Sequence, residues 1–293
     1  MKKLFWRKSK NILGLIFLGA MAVLVLVPLF LVLFLVLKNG FSSLSWELFF
    51  ELPKPVGEPG GGLYHAIMGT TYMVALGALI GIPWGMGAGI YLYEQRKGML
   101  TSFLRRSIEL LSGVPSIVIG MFTYMILVRP FQGFSALAGG VALSFIILPT
   151  VAKTTEDILK MIPATVREAA LALGMSPWKV MLFVLLRAAR SGIMTGILLA
   201  LARAAGETAP LLFTAFGNMY LSYRLTTPMA SLPVTIYNYA ISPYAEWQSL
   251  AWAGSLVLVF MVFCLHMIAK SMSGEFPLKK LLLFRKRQGE RTA

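Results

Sequence analysis

The chain has 293 residues, of which 57% are hydrophobic and only 13% charged, with a mean hydropathy of +0.75. Ordinary soluble domains carry about 25% charged residues, so a water-soluble globule of this size would lack polar surface. The same figures exclude a disordered or collagen-like chain, and a single cysteine excludes a disulfide framework, which leaves a polytopic membrane protein.

A membrane-spanning helix needs about 20 mostly apolar residues. Six segments qualify in chain order: Ile12 to Leu37, Ala66 to Tyr93, Leu110 to Val128, Ala136 to Ala152, Ser191 to Gly217 and Leu250 to Ala269. The expected fold is all-α, a polytopic membrane protein of six transmembrane helices. An even number of spans puts both ends on one side, and the basic residues say which. Of 27 Lys and Arg, 22 fall at the N-terminus, in the second-to-third and fourth-to-fifth connections and in the C-terminal tail. The other side has Lys38, Lys54, Arg129 and Arg224, and Arg203 lies inside a span. Lys and Arg mark the cytoplasmic side, so both termini are expected there. This distribution also accounts for the net charge of +15 without nucleic acid as a partner.

The first apolar run follows a basic N-terminus but is too long for a signal peptide, and no small-residue cleavage site follows it. It reads as a retained span, forming with the extracytoplasmic loop Lys38 to His65 an N-terminal region over 1–65. That loop holds Pro53, Pro55, Pro59 and three successive glycines from Gly60, which predicts turns rather than a domain. In the second span Gly77, Gly81, Gly85 and Gly89 recur every four residues, which stacks them on one helix face for close packing. Gly113, Pro115 and Gly120 predict a bend or a broken helix near the start of the third span. The outer loop Asn218 to Ser249 is rich in Tyr and Pro. It reads as a docking surface or gate, or equally as an interfacial loop anchored by its tyrosines.

The cytoplasmic segment 153–190 is too long for a turn. Pro163 can open a helix at its first position and Gly174 can close it. Val166, Ala169, Ala170 and Leu173 fall at helical spacing on one face, and Ser176-Pro177 resembles an N-cap and first turn. Such a pair of short helices is marginal alone and should pack against something.

Glu168-Ala169-Ala170, three residues, then Gly174 resembles the EAA loop of ATP-binding-cassette importer permeases, whose coupling helices sit in a cleft of the cytoplasmic ATPase. The longer family pattern ends in Leu-Pro. Val184 and Leu186 fit it here, while Arg187 stands where proline is expected. Arg203-Ala204-Ala205-Gly206-Glu207-Thr208-Ala209-Pro210, followed by LLFTA, resembles the signature of phosphate-specific permeases, and within them the A-type of two permease subunits. LLSGVPSIVIGMF from Leu110 and SLPVTIYNYA from Ser231 support the likeness. It implies a type I importer permease core over spans two to six, residues 66–270, with a basic cytoplasmic tail over 271–293. It implies ATPase coupling at Glu168, Ala169, Ala170 and Gly174. It also implies, as partners, a second permease subunit (PstC type), a homodimeric ATPase (PstB type) and an extracytoplasmic phosphate-binding protein (PstS type). No cofactor is expected on this chain, since ATP is used by the partner ATPase. HExxH, GxSxG and Walker-type motifs do not occur.

The fifth span carries its own argument. Each charge at a helix centre costs about 2.5–3.5 kcal/mol, and eight good apolar residues return only about 4 kcal/mol in all. Its charged face should therefore meet protein or a water-filled cavity. Arg203 and Glu207 are four apart on one face, and Pro210 deprives the Gly206 carbonyl of its helical partner. Either the pair neutralises itself, or Arg203, Glu207 and Thr208 line a substrate path. In the second case the guanidinium fork suits two phosphate oxygens, and phosphate, which near neutral pH still carries a proton, can donate a hydrogen bond to Glu207, as sulfate cannot.

Other residues read more simply. Glu156 and Asp157 fit a solvated face, and Glu109 at the inner end of the third span has no evident task. His65 and His266 lie near opposite faces and cannot share a metal, and Cys264 reads as a small packed hydrophobe. Two other functions stay open: a permease for another oxyanion (sulfate or molybdate) or the C-type phosphate subunit, and an intramembrane enzyme using Glu207 as acid or base.

Overall fold

The computed structural model describes residues 2–55, 58 and 60–272, and these are helical with no strand. Most of the basic tail expected over 271–293 lies outside the described residues. Among the described residues five helices are long and apolar enough to cross a membrane, and six if a helix pair bent by 109° counts as one span. Arg96, Lys97, Arg105 and Lys160 gather at one end of the bundle, the basic face, across from the opposite face.

Helix α1 (Lys2–Ser42) contains the first expected span. Its side chains are largely exposed, and it meets the bundle at Gly40, where an added Cβ would lie 2.8 Å from the Leu256 Cβ and 3.0 Å from the Trp252 carbonyl. The loop that follows is more ordered than its prolines predict. A short helix α2 (Glu47–Phe50) buries Leu48 completely, and its carbonyl accepts from the Leu63 amide at 2.8 Å.

Helices α3 (Tyr64–Glu94) and α6 (Ala136–Lys160) form the centre. All four glycines of the expected ladder are buried, and their partner is α6. A Cβ at Gly77 would lie 2.9 Å from the Leu143 Cβ, one at Gly81 2.9 Å from the Ile147 Cβ, and one at Gly85 2.9 Å from the Val151 Cβ. Gly89 continues the series at Thr155. Each step of four on α3 matches a step of four on α6 in the same direction, so the two helices run parallel. Without side chains on one face, the backbones approach until the glycine stripe is filled by α6 side chains, and dispersion contacts accumulate along the whole length.

The third expected span straddles the bend. Helix α4 (Met99–Gly113) meets α5 (Ser116–Thr123, continuing as a π-turn over Tyr124–Val128) at Val114-Pro115, where the chain turns through 109°. Pro115 cannot donate to the preceding turn, which ends α4. An ion-pair cluster fixes α4 on α6. Glu156 is only 4% exposed and accepts from Arg105 Nη2 at 2.7 Å and Nη1 at 3.3 Å, while Lys160 Nζ lies 2.6 Å away. The expectation of a solvated face therefore fails for Glu156 and is met by Asp157, which is exposed. Their side chains leave the helix in different directions, and only Glu156 points at α4.

Beyond α6 come α7 (Ala164–Ala172), α8 (Pro177–Lys179, continuing as a π-turn over Val180–Leu185), α9 (Leu186–Ala205) and α10 (Ala209–Thr214). The loop over 218–249 contains α11 (Leu232–Ala240) and leads into α12 (Ala245–Met272). It is part of the packing on the opposite face. The Leu232 amide donates to Thr70 Oγ1 at 2.7 Å, Gly69 lies against the Ala230 carbonyl, and Tyr239 stacks on Trp247 with centroids 4.8 Å apart. Tyr220, Tyr223, Tyr237 and Tyr244 remain exposed.

Two outcomes follow for purified protein unfolded by heat in detergent. Gly81→Leu should lose about 3 kcal/mol by overpacking against Ile147, whereas Gly87→Ala, whose added Cβ meets nothing within 4 Å, should stay within about 1 kcal/mol of wild type. Glu156→Ala should lose about 2–3 kcal/mol through its charge-assisted hydrogen bonds, and Asp157→Ala no more than about 0.5 kcal/mol.

Candidate functional site

The residues that the sequence singles out lie in two places, a broken span and the connection between α6 and α9. The broken span is α9 with α10. Against α6, Gly192 meets Ile158, Gly196 meets Thr154, and Gly139 meets Leu211. At the far end the Ser135 amide donates to the Thr214 carbonyl at 3.0 Å. One antiparallel register thus runs through both pieces, so α10 continues the line of α9 along α6 after an interruption at Gly206–Thr208. By that register Gly206 is level with Ser144 and Arg203 with Ile147, near the middle of the uncharged part of α6 over 136–152.

The interruption corrects one expectation. Arg203 occupies the last turn of α9, the helix ends at Ala205 with Gly206 as its cap, and Glu207 lies in the gap. Pro210 lies in the first turn of α10, which begins at Ala209, instead of loosening a continuous helix. Packing holds it there: a Cβ on Gly120 of α5 would lie 2.7 Å from the Pro210 Cα. Arg203 and Glu207 still meet, with Arg203 Nε donating to Glu207 Oε1 at 3.4 Å. The Nη edge of the guanidinium makes no hydrogen bond to Glu207 and is open to another acceptor. The Arg203 side chain is 55% exposed and that of Glu207 15%. Thr208 is half-buried at the start of α10, and its hydroxyl makes no capping bond.

These exposures decide between effects. A half-exposed i,i+4 ion pair is worth about 0.2–1 kcal/mol, while each charge in hydrocarbon costs about 2.5–3.5 kcal/mol. Mutual neutralisation alone offsets only part of that cost, which favours a placement of Arg203 against water or another protein surface over one in lipid. A cavity of about 340 Å³ near the opposite face is lined by His65, Leu212, Phe216, Asn218, Asn238 and Trp247 among others, and does not include Arg203 or Glu207. The guanidinium is presented on the outside of this chain.

The second place is α7. Pro163 precedes its first turn, and a Schellman closure ends it: Gly174 at φ +81° donates to the Leu171 carbonyl at 2.9 Å, and the Met175 amide to that of Ala170 at 3.3 Å. The expected apolar face is divided. Ala170 is buried at 6% exposure, Leu173 is 84% exposed, and Glu168, Ala169 and Gly174 are also exposed. Only Ala170 of the four motif residues holds α7 to the protein, and the others form a free surface. Ser176 caps α8 by position, though its hydroxyl makes no capping bond.

Sequence reasoning passes over Arg167 and Glu94. Arg167 Nη2 donates to Glu94 Oε2 at 2.7 Å, joining α7 to the last residue of α3, and the guanidinium carbon lies 5.9 Å from the Tyr93 ring centre. That hydrogen bond raises the Arg167 pKa further above its ordinary value. Nothing in the spacing of residues 73 apart marks such a pair.

Residues 81–273 match the family model of binding-protein-dependent transport system inner membrane components. The phosphate transport system permease protein PstA of Yersinia pestis is 45% identical over 270 residues, covering 92% of each chain. That of Haemophilus influenzae is 42% identical over 92% of this chain and 95% of its own. A probable phosphate transport system permease protein PstA of Methanocaldococcus jannaschii is 34% identical over 87% of this chain and 90% of its own. The inward-facing methionine ABC transporter MetNI has a chain that superposes with a TM-score of 0.62 at 19% identity, over 73% of this chain and 95% of that one, which establishes a shared fold. Spans two to six therefore have the type I importer permease architecture, and the chain belongs to the binding-protein-dependent transport system inner membrane components, within the PstA permease family.

Proposed function

We propose that this chain is a permease subunit of an ATP-driven importer that moves inorganic phosphate across the cytoplasmic membrane. The observation that carries this reading is the interrupted crossing at Gly206–Thr208, with a half-exposed Arg203 level with the middle of α6. The PstA relatives supply the substrate class. Both termini and the basic face are cytoplasmic in this reading, by the positive-inside rule.

Arg203, Glu207 and Thr208 line the path. An incoming phosphate is received on the free Nη edge of Arg203, whose planar donors match two of its oxygens. Glu207, already held by Arg203 Nε, accepts a hydrogen bond from the protonated oxygen of phosphate, and sulfate has no proton to offer near neutral pH. The Thr208 hydroxyl, free of any capping duty, can donate to or accept from a further oxygen. Because Arg203 projects from the outer surface of the bundle, the path is completed by a second permease of PstC type facing it. The exposed surface of α7, with Glu168, Ala169 and Gly174, docks on a homodimeric ATPase of PstB type, while Ala170 seats the helix on the permease. Phosphate arrives on an extracytoplasmic binding protein of PstS type. ATP is bound and hydrolysed by the ATPase, and this chain carries no cofactor. The organisation is an N-terminal helix and loop over 1–65, a permease core over 66–270 with 153–190 as its coupling segment, and a basic tail over 271–293.

Radiolabelled phosphate uptake tests the path in cells lacking their own importer and supplied with the full partner set. Arg203→Met, at matched membrane abundance, should reduce uptake about ten- to a hundredfold, the loss of charge-assisted hydrogen bonds to one anion. Normal uptake would reduce the pair to structural neutralisation. Glu207→Gln should let sulfate compete with phosphate, and undiminished discrimination in that variant removes Glu207 from selectivity.

A further inference from the structure

The coupling helix has two covalent connections to the bundle. Met161 to Pro163 join it to α6, and Leu173 to Ser176 lead it through α8 into α9. Neither leads directly to α3, yet α3 is the helix most intimately packed on α6, through glycines along most of its length. A displacement of α7 reaches α6 and α9 along the backbone, and it reaches α3 only through side chains.

The side chains at that junction are Arg167, Glu94 and Tyr93. Arg167 is held in two ways at once: its Nη2 donates to Glu94 Oε2 at 2.7 Å and its guanidinium lies over the Tyr93 ring at 5.9 Å. The pair is partly withdrawn from water, with side-chain exposures of 30% for Arg167 and 29% for Glu94. Both α3 contacts are on the terminal turn of that helix, where a pull or push acts on its end. A planar guanidinium bound at its edge and over its face keeps a fixed orientation, which a lysine ammonium in the same place would not.

We propose that the Arg167–Glu94 pair is a strut that transmits movement of α7 to the cytoplasmic end of α3, making both residues positioning residues for ATP-driven transport. The proposal rests on the reading of α7 as the ATPase-docking helix. It places Arg167 on the permease side of that helix, while neighbouring Glu168 and Ala169 face outward.

The test uses the complete transporter in lipid vesicles, with phosphate uptake and ATP hydrolysis measured on the same preparation. Wild type should move phosphate only with ATP, and failure to do so overturns the functional reading and the strut with it. Arg167→Glu and Glu94→Arg should each leave the assembled complex hydrolysing ATP while phosphate moved per ATP falls about tenfold, a typical coupling strength between sites. The double exchange should recover most of that ratio, because the ion pair is rebuilt in reverse. Arg167→Gln and Glu94→Gln, which remove the pair without adding repulsion, should lower the same ratio whether or not the charge reversals impair assembly. An unchanged ratio in both neutral variants overturns the strut while leaving the functional reading intact. Loss of ATPase retention in the Arg167 variants but not in the Glu94 variants also overturns it, since Arg167 would then contact the ATPase rather than α3.

Discussion

The parallel contact of α3 with α6 is the constraint on which the other helices depend. Lipid tails are as apolar as leucine, so helices inside a membrane gain little by hiding hydrophobic surface from one another. Close packing has to do that work, and the buried glycines on α3 bring the two backbones together. Much of the permease core is positioned from this pair. Helix α4 is tied to it through Glu156, α9 and α10 lie along α6, and the loop over 218–249 rests on Gly69 and Thr70 at one end of α3.

Against that rigid pair, the crossing formed by α9 and α10 is the discontinuous element. A continuous helix satisfies its own backbone, whereas one stopped at Ala205 and restarted at Ala209 leaves polar groups at the depth where hydrocarbon would otherwise surround them. The charged pair at the same level adds to this demand. Both features are tolerable where water or a second subunit covers them, and the exposure of Arg203 directs that requirement outward, toward a neighbour.

The sequence carried the locations of the crossings, because hydropathy depends on composition alone. It carried the glycine stripe as well, though not its partner, since spacing on one helix says nothing about which helix fills it. The bend at Pro115 was legible from local chemistry. Three features were not. Glu156 looked like its neighbour Asp157 because the cation that buries it comes from Arg105, 51 residues away. The end of α9 between Arg203 and Glu207 is accompanied by the seating of Pro210 against Gly120, a tertiary contact that spacing along the chain does not show. Arg167 and Glu94 each resemble an ordinary surface charge until α7 folds back onto α3.

The parallel pairing of α3 and α6 also bears on how the chain is made. Neighbours in a hairpin can pack as soon as the second has crossed, but two parallel helices need an intervening crossing between them. A chain synthesised from its N-terminus delivers α3 to the bilayer first, with its glycine groove open to lipid. The bent α4–α5 segment must then be threaded before α6 arrives to fill the groove. The core of this permease is thus closed late, by a helix that enters after the one it completes.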